Sequence, residues 1–407
     1  MRTVILPGVL ATMLLSISFT SCDRDNNKPD EPGAGRVCRK KTVLLYAVAS
    51  NNLYDNLLDD KVEMLSAASG MDLEGVSMLV YEVTRYGNPV LSEIVRTPSG
   101  ECVFEVVKEY DKEYYSTDPR RITQVVSDMV QERDAESYGL IFWSHGTGID
   151  PSFSTHATRG DGVVERPIPG VYSFGSDNDK DKNPSYYDEI DIDELADAIP
   201  EGLFSFIWFD ACYMAGIETA YEFRDKCDYF VGYPTEVFTP GMPYDLTLPY
   251  ILREESDLVG AAQQFFRYYS EHPSSGYRVA TISVLSERQI EAVAECCKAA
   301  YSGVESAVGT VGLQCYSRGR IGPFYDFGQY TERMAVLGQE TPDMSDFNKA
   351  MTEFVIWSAA TPQDFNYRPI PEENYSGVSC HVFDATSNTD KSNYYKTLDW
   401  YKRVYAK

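Results

Sequence analysis

From residue 42 onward, short apolar runs alternate along the chain with stretches of helical period. The runs TVLLYAVA (42–49), VSMLVYEV (76–83), GLIFWS (139–144), LFSFIWF (203–209) and YFVGY (229–233) predict strands. The last three are almost unbroken in their apolar character. That is the pattern of strands covered on both faces, as in a parallel sheet sandwiched between helices. Helices are predicted between them at 52–68, 119–135, 191–199 and 213–227. The alternation makes an α/β fold, an open, mostly parallel sheet with helices on both faces. After about residue 250 longer helical patterns take over, with a late strand GVSCHVF at 377–383. Residues 38–250 therefore read as the core, and 251–407 as a mainly helical C-terminal lobe that completes the same unit.

The first residues carry a different pattern. Arg2 precedes an apolar run over 4–20 that Pro7 and Gly8 interrupt. The run is too short and broken to span a bilayer, which takes about 20 apolar residues, so 1–21 reads as a signal peptide. Ser21-Cys22 at its end resembles the lipobox of bacterial lipoproteins, which implies acylation of Cys22 and anchoring in the bacterial cell envelope, at the outer membrane or cell surface. Residues 22–37 are polar, with Pro and Gly, and read as a flexible tether.

The composition narrows the partners. With 43% hydrophobic and 24% charged residues the chain is of ordinary globular type, and 36 basic against 62 acidic residues give a net charge of −26. Such a charge argues against nucleic acid or an anionic membrane surface, and it favours cationic substrates. Nine cysteines in an exported chain raise the question of disulfides. Cys22 would be consumed by lipid and one further thiol is needed below. The others, including the adjacent Cys296-Cys297, read as buried small hydrophobes. No CxxC or HExxH spacing points to a metal.

Two strand ends carry the chemistry. His145 follows GLIFWS and Cys212 follows LFSFIWF, and in an open α/β sheet functional groups gather at the carboxyl ends of the strands. If the two strands are neighbours, about 4.8 Å apart, imidazole and thiol face one crevice. A thiol nucleophile needs a base, and an imidazole can serve as one. A helix predicted from near Met214 would add a field that favours the thiolate. Gly146 lets substrate approach closely, and its amide together with that of Cys212 could hold an oxyanion. On spacing alone the bland readings stay open, a buried cysteine and a turn histidine. His156, His272 and His381 read as structural.

The blocks IFWSHGTG, DIDELADAI, FIWFDACYMAGIETAYEF and YFVGYPTEVFTPGMPYD resemble the successive signatures of the clostripain family of cysteine peptidases, which share the caspase-like fold. YDFGQY (325–330) and SGVSCHVF (376–383) are similar to later segments of that family, so the resemblance spans most of 42–390. It implies that His145 is the catalytic histidine, Cys212 the nucleophile, and Asp210 the acid near the floor of a pocket that selects a basic side chain. A buried carboxylate does reward a guanidinium able to bind it in a fork. The alternative is that Asp210 caps the following helix. Glu236 lies where the family often has a further acid, although Pro234 beside it departs from the usual small polar residue.

The long connection 146–190 is rich in Gly, Pro, Asp and Ser. Family members are often cut there after a basic residue, which points to Arg159; Arg166 precedes a proline, which disfavours cleavage. The same loop holds DNDKDKNPSYYD, with Asp177, Asp179, Asp181 and Asp188 at calcium-loop spacing. Lys182 replaces the turn glycine and Asp188 the bidentate glutamate, so a solvated acidic loop is the plainer reading and the chemistry requires no cofactor. The expectation is an exported, lipid-anchored, monomeric cysteine endopeptidase that acts on proteins or peptides after Arg or Lys. Its rivals are a non-catalytic surface binding lipoprotein on the same scaffold, and a peptidase of non-basic specificity.

Overall fold

A computed structural model describes residues 38–149, 173–178, 187–302, 304, 309–316, 324–338, 342–382 and 390–406. The strands are β1 (Arg39–Ala49), β2 (Val76–Thr84), β3 (Val90–Arg96), β4 (Cys102–Glu109), β5 (Ala135–Trp143), β6 (Phe174–Asp177), β7 (Asp188–Ile190), β8 (Phe204–Asp210), β9 (Cys227–Gly232), β10 (Thr281–Ser286), β11 (Phe324–Asp326), β12 (Val355–Ala360) and β13 (Ser379–His381). One sheet runs in the order β12-β10-β9-β8-β5-β1-β2-β3-β4. Its centre, from β9 to β2, is parallel, and both margins are antiparallel. The mostly parallel open sheet expected from the apolar runs is present.

The two cores show why strands covered on both faces read as continuous apolar runs, and β1 follows the same rule. In β1, Leu44, Tyr46 and Val48 belong to one core cluster, while Val43, Leu45, Ala47 and Ala49 belong to the other. Side chains alternate across a strand, so a sheet covered on both faces needs apolar residues at every position. The helix Pro119–Glu132 covers the first face through Ile122, Val125, Val126 and Met129. Its start is fixed by Asp118, whose side chain accepts from Arg120 N, and by a proline in the first turn. The helices Tyr54–Ser69, Tyr244–Ile251 and Leu258–Ser270 cover the second face.

The C-terminal part extends the same sheet and adds a small two-stranded one. β10 and β12 add antiparallel strands beside β9, and Phe354, Trp400 and Val404 join the first core cluster. The late strand forms as β13, paired antiparallel with β11 in a small second sheet. Cys102, Cys227, Cys297 and Cys380 are buried, as small hydrophobes would be, whereas Cys38, Cys296 and Cys315 are only partly buried, contrary to the expectation.

Several elements differ from the sequence reading, and the late strand expected over 377–383 is only Ser379–His381. The helix expected over 213–227 is only Ile217–Glu222. Residues 211–216 form a turn, because Gly216 sits in an extended conformation as the N-cap and Cys227 already opens β9. No helix begins at Met214, so Cys212 gains no stabilisation from a helix start immediately beyond it. The helix expected over 119–135 stops at Glu132, since Ala135 opens β5. The β3–β4 hairpin was not predicted; polar residues such as Ser92, Glu93 and Lys108 blur its alternation.

Candidate active site

β5 and β8 are adjacent and parallel, and Trp143 pairs with Asp210 at their ends. His145 and Cys212 therefore each lie two residues beyond the paired ends of neighbouring strands. They line one cleft of about 260 Å³, together with Trp143, Asp210, Glu236 and Phe238. The two loops are packed tightly. A side chain on Gly146 would come within 2.9 Å of the Cys212 carbonyl oxygen, and one on Gly148, whose φ is +60°, within 2.7 Å of the Tyr213 carbonyl oxygen. Here Gly146 serves first to bring the two strand-end loops together, a need that the motif alone did not reveal. The loop carrying Gly146 is clipped to β6, with Gly175 N donating to His145 O and Thr147 N donating to Ser173 O. These bonds leave the Gly146 amide unused.

Backbone strain marks the turn after Cys212. Tyr213 has φ +61°, a left-handed conformation uncommon for any residue other than glycine. It is held there by its amide, which donates to Thr235 O, and by stacking on Phe324. The Cys212 thiol lies between the backbone groups of Val237, whose N–H donates to Sγ at 3.4 Å and whose carbonyl oxygen is 3.7 Å from Sγ.

His145 Nε2 lies 2.8 Å from Asn52 Oδ1. An amide oxygen only accepts, so Nε2 carries the ring proton and Nδ1 keeps the lone pair. Burial lowers the imidazole pKa to about 4, so the ring is neutral at neutral pH and able to take a proton. Asn52 follows the carboxyl end of β1, the strand next to β5, and the sheet-edge rule that located His145 could have found it too.

Asp210 is buried and lines the cleft. Oδ1 accepts from Tyr233, and Oδ2 accepts from Met242 N and from Tyr244, each at 3.1 Å. None of these donors belongs to the helix that follows, so Asp210 is not its cap. Burial raises the carboxyl pKa to about 6 against the pull of the three hydrogen bonds, leaving it ionised at neutral pH. Nearby Asp60 accepts from the Trp143 indole at 2.8 Å. Its own burial, followed by the charge of Asp210, raises it to about 9 and keeps it protonated. Of these two buried acids, Asp210 therefore carries the negative charge. Sequence reasoning had no signal for Asp60, which sits inside an amphipathic helix.

The remaining predicted residues fall into two groups. Glu236 lines the cleft beside Val237, while Cys22, Arg159, Arg166, His156, Asp179 and Asp181 lie outside the described residues. Asp177 and Asp188 are buried on β6 and β7. Asp177 accepts from Ser50 and from Ser116 N, and Asp188 accepts from Thr117. These two are bound internally rather than solvated, and among the described residues no His, Cys, Asp or Glu cluster is arranged for a metal. His272 and His381 lie away from the cleft lining.

A thiol and a neutral imidazole at one strand-end crevice, which a buried carboxylate also lines, are fitted for acyl transfer. The model of the Clostripain family matches residues 45–308. The chain belongs to the clostripain family. It is a cysteine-type peptidase, and its fold is similar to those of solved family structures. An inactive zymogen C11 protease from Parabacteroides distasonis is 28% identical with a TM-score of 0.73, over 90% of this chain and 99% of that one. A secreted C11 cysteine protease from Bacteroides thetaiotaomicron, in complex with an irreversible peptide inhibitor, is 23% identical with a TM-score of 0.73, over 90% of this chain and 98% of that one. At that identity the likeness concerns the fold. No curated protein matches. Among the described residues no helix is long and apolar enough to cross a membrane.

Proposed function

We propose that this clostripain-family peptidase is an exported, lipid-anchored endopeptidase that cleaves proteins or peptides after Arg or Lys. Cys212 is the nucleophile and His145 the general base. His145 Nδ1 takes the thiol proton as Sγ attacks the scissile carbonyl, and the amides of Gly146 and Cys212 hold the oxyanion. Collapse of the tetrahedral intermediate expels the amine, which receives the proton from the imidazolium, and water then hydrolyses the acyl-enzyme.

The observation that carries the specificity is Asp210, a buried carboxylate that lines the cleft with its negative charge retained at neutral pH. Three donors fix its orientation, and Oδ1, engaged once, keeps room for a substrate donor. Glu236 on the cleft wall adds a second acid toward the same side chain. Export and anchoring are supported by the apolar leader that ends in Ser21-Cys22. The test is hydrolysis of peptides varied only at the residue before the scissile bond, with Cys212→Ala as control. Efficient cleavage after Arg or Lys that vanishes in the control is the expected result. Equal cleavage after norleucine would remove the basic specificity, and activity in the control would remove the mechanism.

A further inference from the structure

The wall of the cleft beyond Cys212 is aromatic. Phe238 and Phe365 both line the cleft, with ring centroids 4.6 Å apart. Phe238 also meets Tyr277 at 4.9 Å, and Tyr277 meets His272 at 4.9 Å. These rings come from three separate segments. Phe238 is on the loop after β9, Phe365 follows β12, and His272 and Tyr277 lie between the helix Leu258–Ser270 and β10. Phe238 is backed by buried Tyr269, stacked on it at 6.2 Å and anchored by a hydroxyl that donates to Gly241 O. The platform is therefore set by the core, while Tyr277 remains 42% exposed.

The direction of a bound substrate follows from the sheet order. β8, which carries Cys212, lies between β5, which carries His145, and β9. The imidazole must hand its proton to the leaving amine, so the chain after the scissile bond passes on the β5 side. The chain before it then runs toward β9, β10 and β12, where the aromatic rings are. An extended peptide advances about 3.3 Å per residue and returns to the same face every second residue. Counting the residue held over Asp210 as the first, the third points back to the enzyme about 7 Å further on, in the direction of the Phe238–Tyr277 pair.

We propose that Phe238, Tyr277 and Phe365 form a binding subsite for an apolar or aromatic side chain at the third substrate residue before the scissile bond. This rests on the cysteine-peptidase reading of the cleft. Ring faces set at these spacings accept an aliphatic chain or an offset-stacked ring. The subsite adds sequence selectivity to the basic preference set by Asp210.

The test uses the whole chain and blocked peptides X-Ala-Arg-reporter, with X as Phe, Leu, Ala or Asp. Wild type is expected to favour Phe or Leu over Ala by about tenfold in kcat/KM, the scale of discrimination that apolar pockets reach. Tyr277→Ala, at an exposed position, should bring that ratio close to one, and Tyr277→Phe should retain it. A wild-type efficiency independent of X, or a ratio unchanged by Tyr277→Ala, would overturn the subsite. Failure to hydrolyse any peptide, whatever stands before the scissile bond, would instead overturn the peptidase reading beneath it.

Discussion

At the scale of single residues the account depends on how the ring proton of His145 is placed. Cys212→Ala and His145→Ala should each remove nearly all peptide hydrolysis with the fold intact by circular dichroism, because nucleophile and base act as one unit. Asn52 touches Nε2 and reaches the thiol only through the ring, so it is a positioning residue. Asn52→Ala should lower kcat on the order of tenfold and leave KM nearly unchanged, since the ring would lose the partner that fixes its tautomer. An effect confined to KM would contradict that role. The two lowered or raised groups separate in pH. Asp210, raised to about 6 by burial, must be ionised to hold a cation, so efficiency toward Arg substrates should fall as pH drops through 6. With a norleucine substrate only His145, lowered to about 4, must lose its proton, and that acidic limb should lie lower. Coincident limbs for the two substrates would argue against Asp210 as the selecting group.

Among the elements, the central strands were legible because full burial writes a continuous apolar run, and β5 and β8 could be read with the residues at their ends. The hairpin β3–β4 was hidden because an edge strand with one wet face admits charge. The short helix after Cys212 was overestimated because IETAYEFRDKC has helical composition while Gly216 and the entry into β9 confine it. Hydrogen-bond partners that come from other elements, such as Tyr233 and Tyr244, left no local pattern at all. One element junction carries a stability prediction. Glu287, between β10 and the helix Ile290–Tyr301, is fully buried and neither carboxyl oxygen has a hydrogen-bond partner. Burial raises its pKa well above the ordinary value, so the folded state keeps a proton that the unfolded state releases above about pH 4.5. The unfolded state then binds fewer protons, and stability falls as pH rises from there toward the folded pKa. Glu287→Gln removes this loss and should unfold at higher temperature than wild type at pH 8, with the gap narrowing toward pH 5. A gap that does not change with pH would show that ionisation of Glu287 is not the cause.

For the whole molecule, the sheet gathers the strand ends at one edge and the helices exclude water from both faces, and the proposed leader and tether would set where the catalyst sits. Acylation anchors a chain by burying hydrocarbon, and a tether over 22–37 keeps that event apart from the core. Cys22→Ser should therefore move the protein from the detergent phase to the aqueous phase with peptidase activity unaltered, and unchanged partitioning would remove the anchor. The central claim is a Cys-His peptidase whose buried acid selects a basic residue. It is tested most directly by the ratio of kcat/KM for Arg and norleucine substrates in wild type and in Asp210→Asn. Truncating one partner of a desolvated charge pair costs about 2–5 kcal/mol, so the ratio should fall by about 30-fold or more while cleavage after norleucine persists. An unchanged ratio would contradict the account.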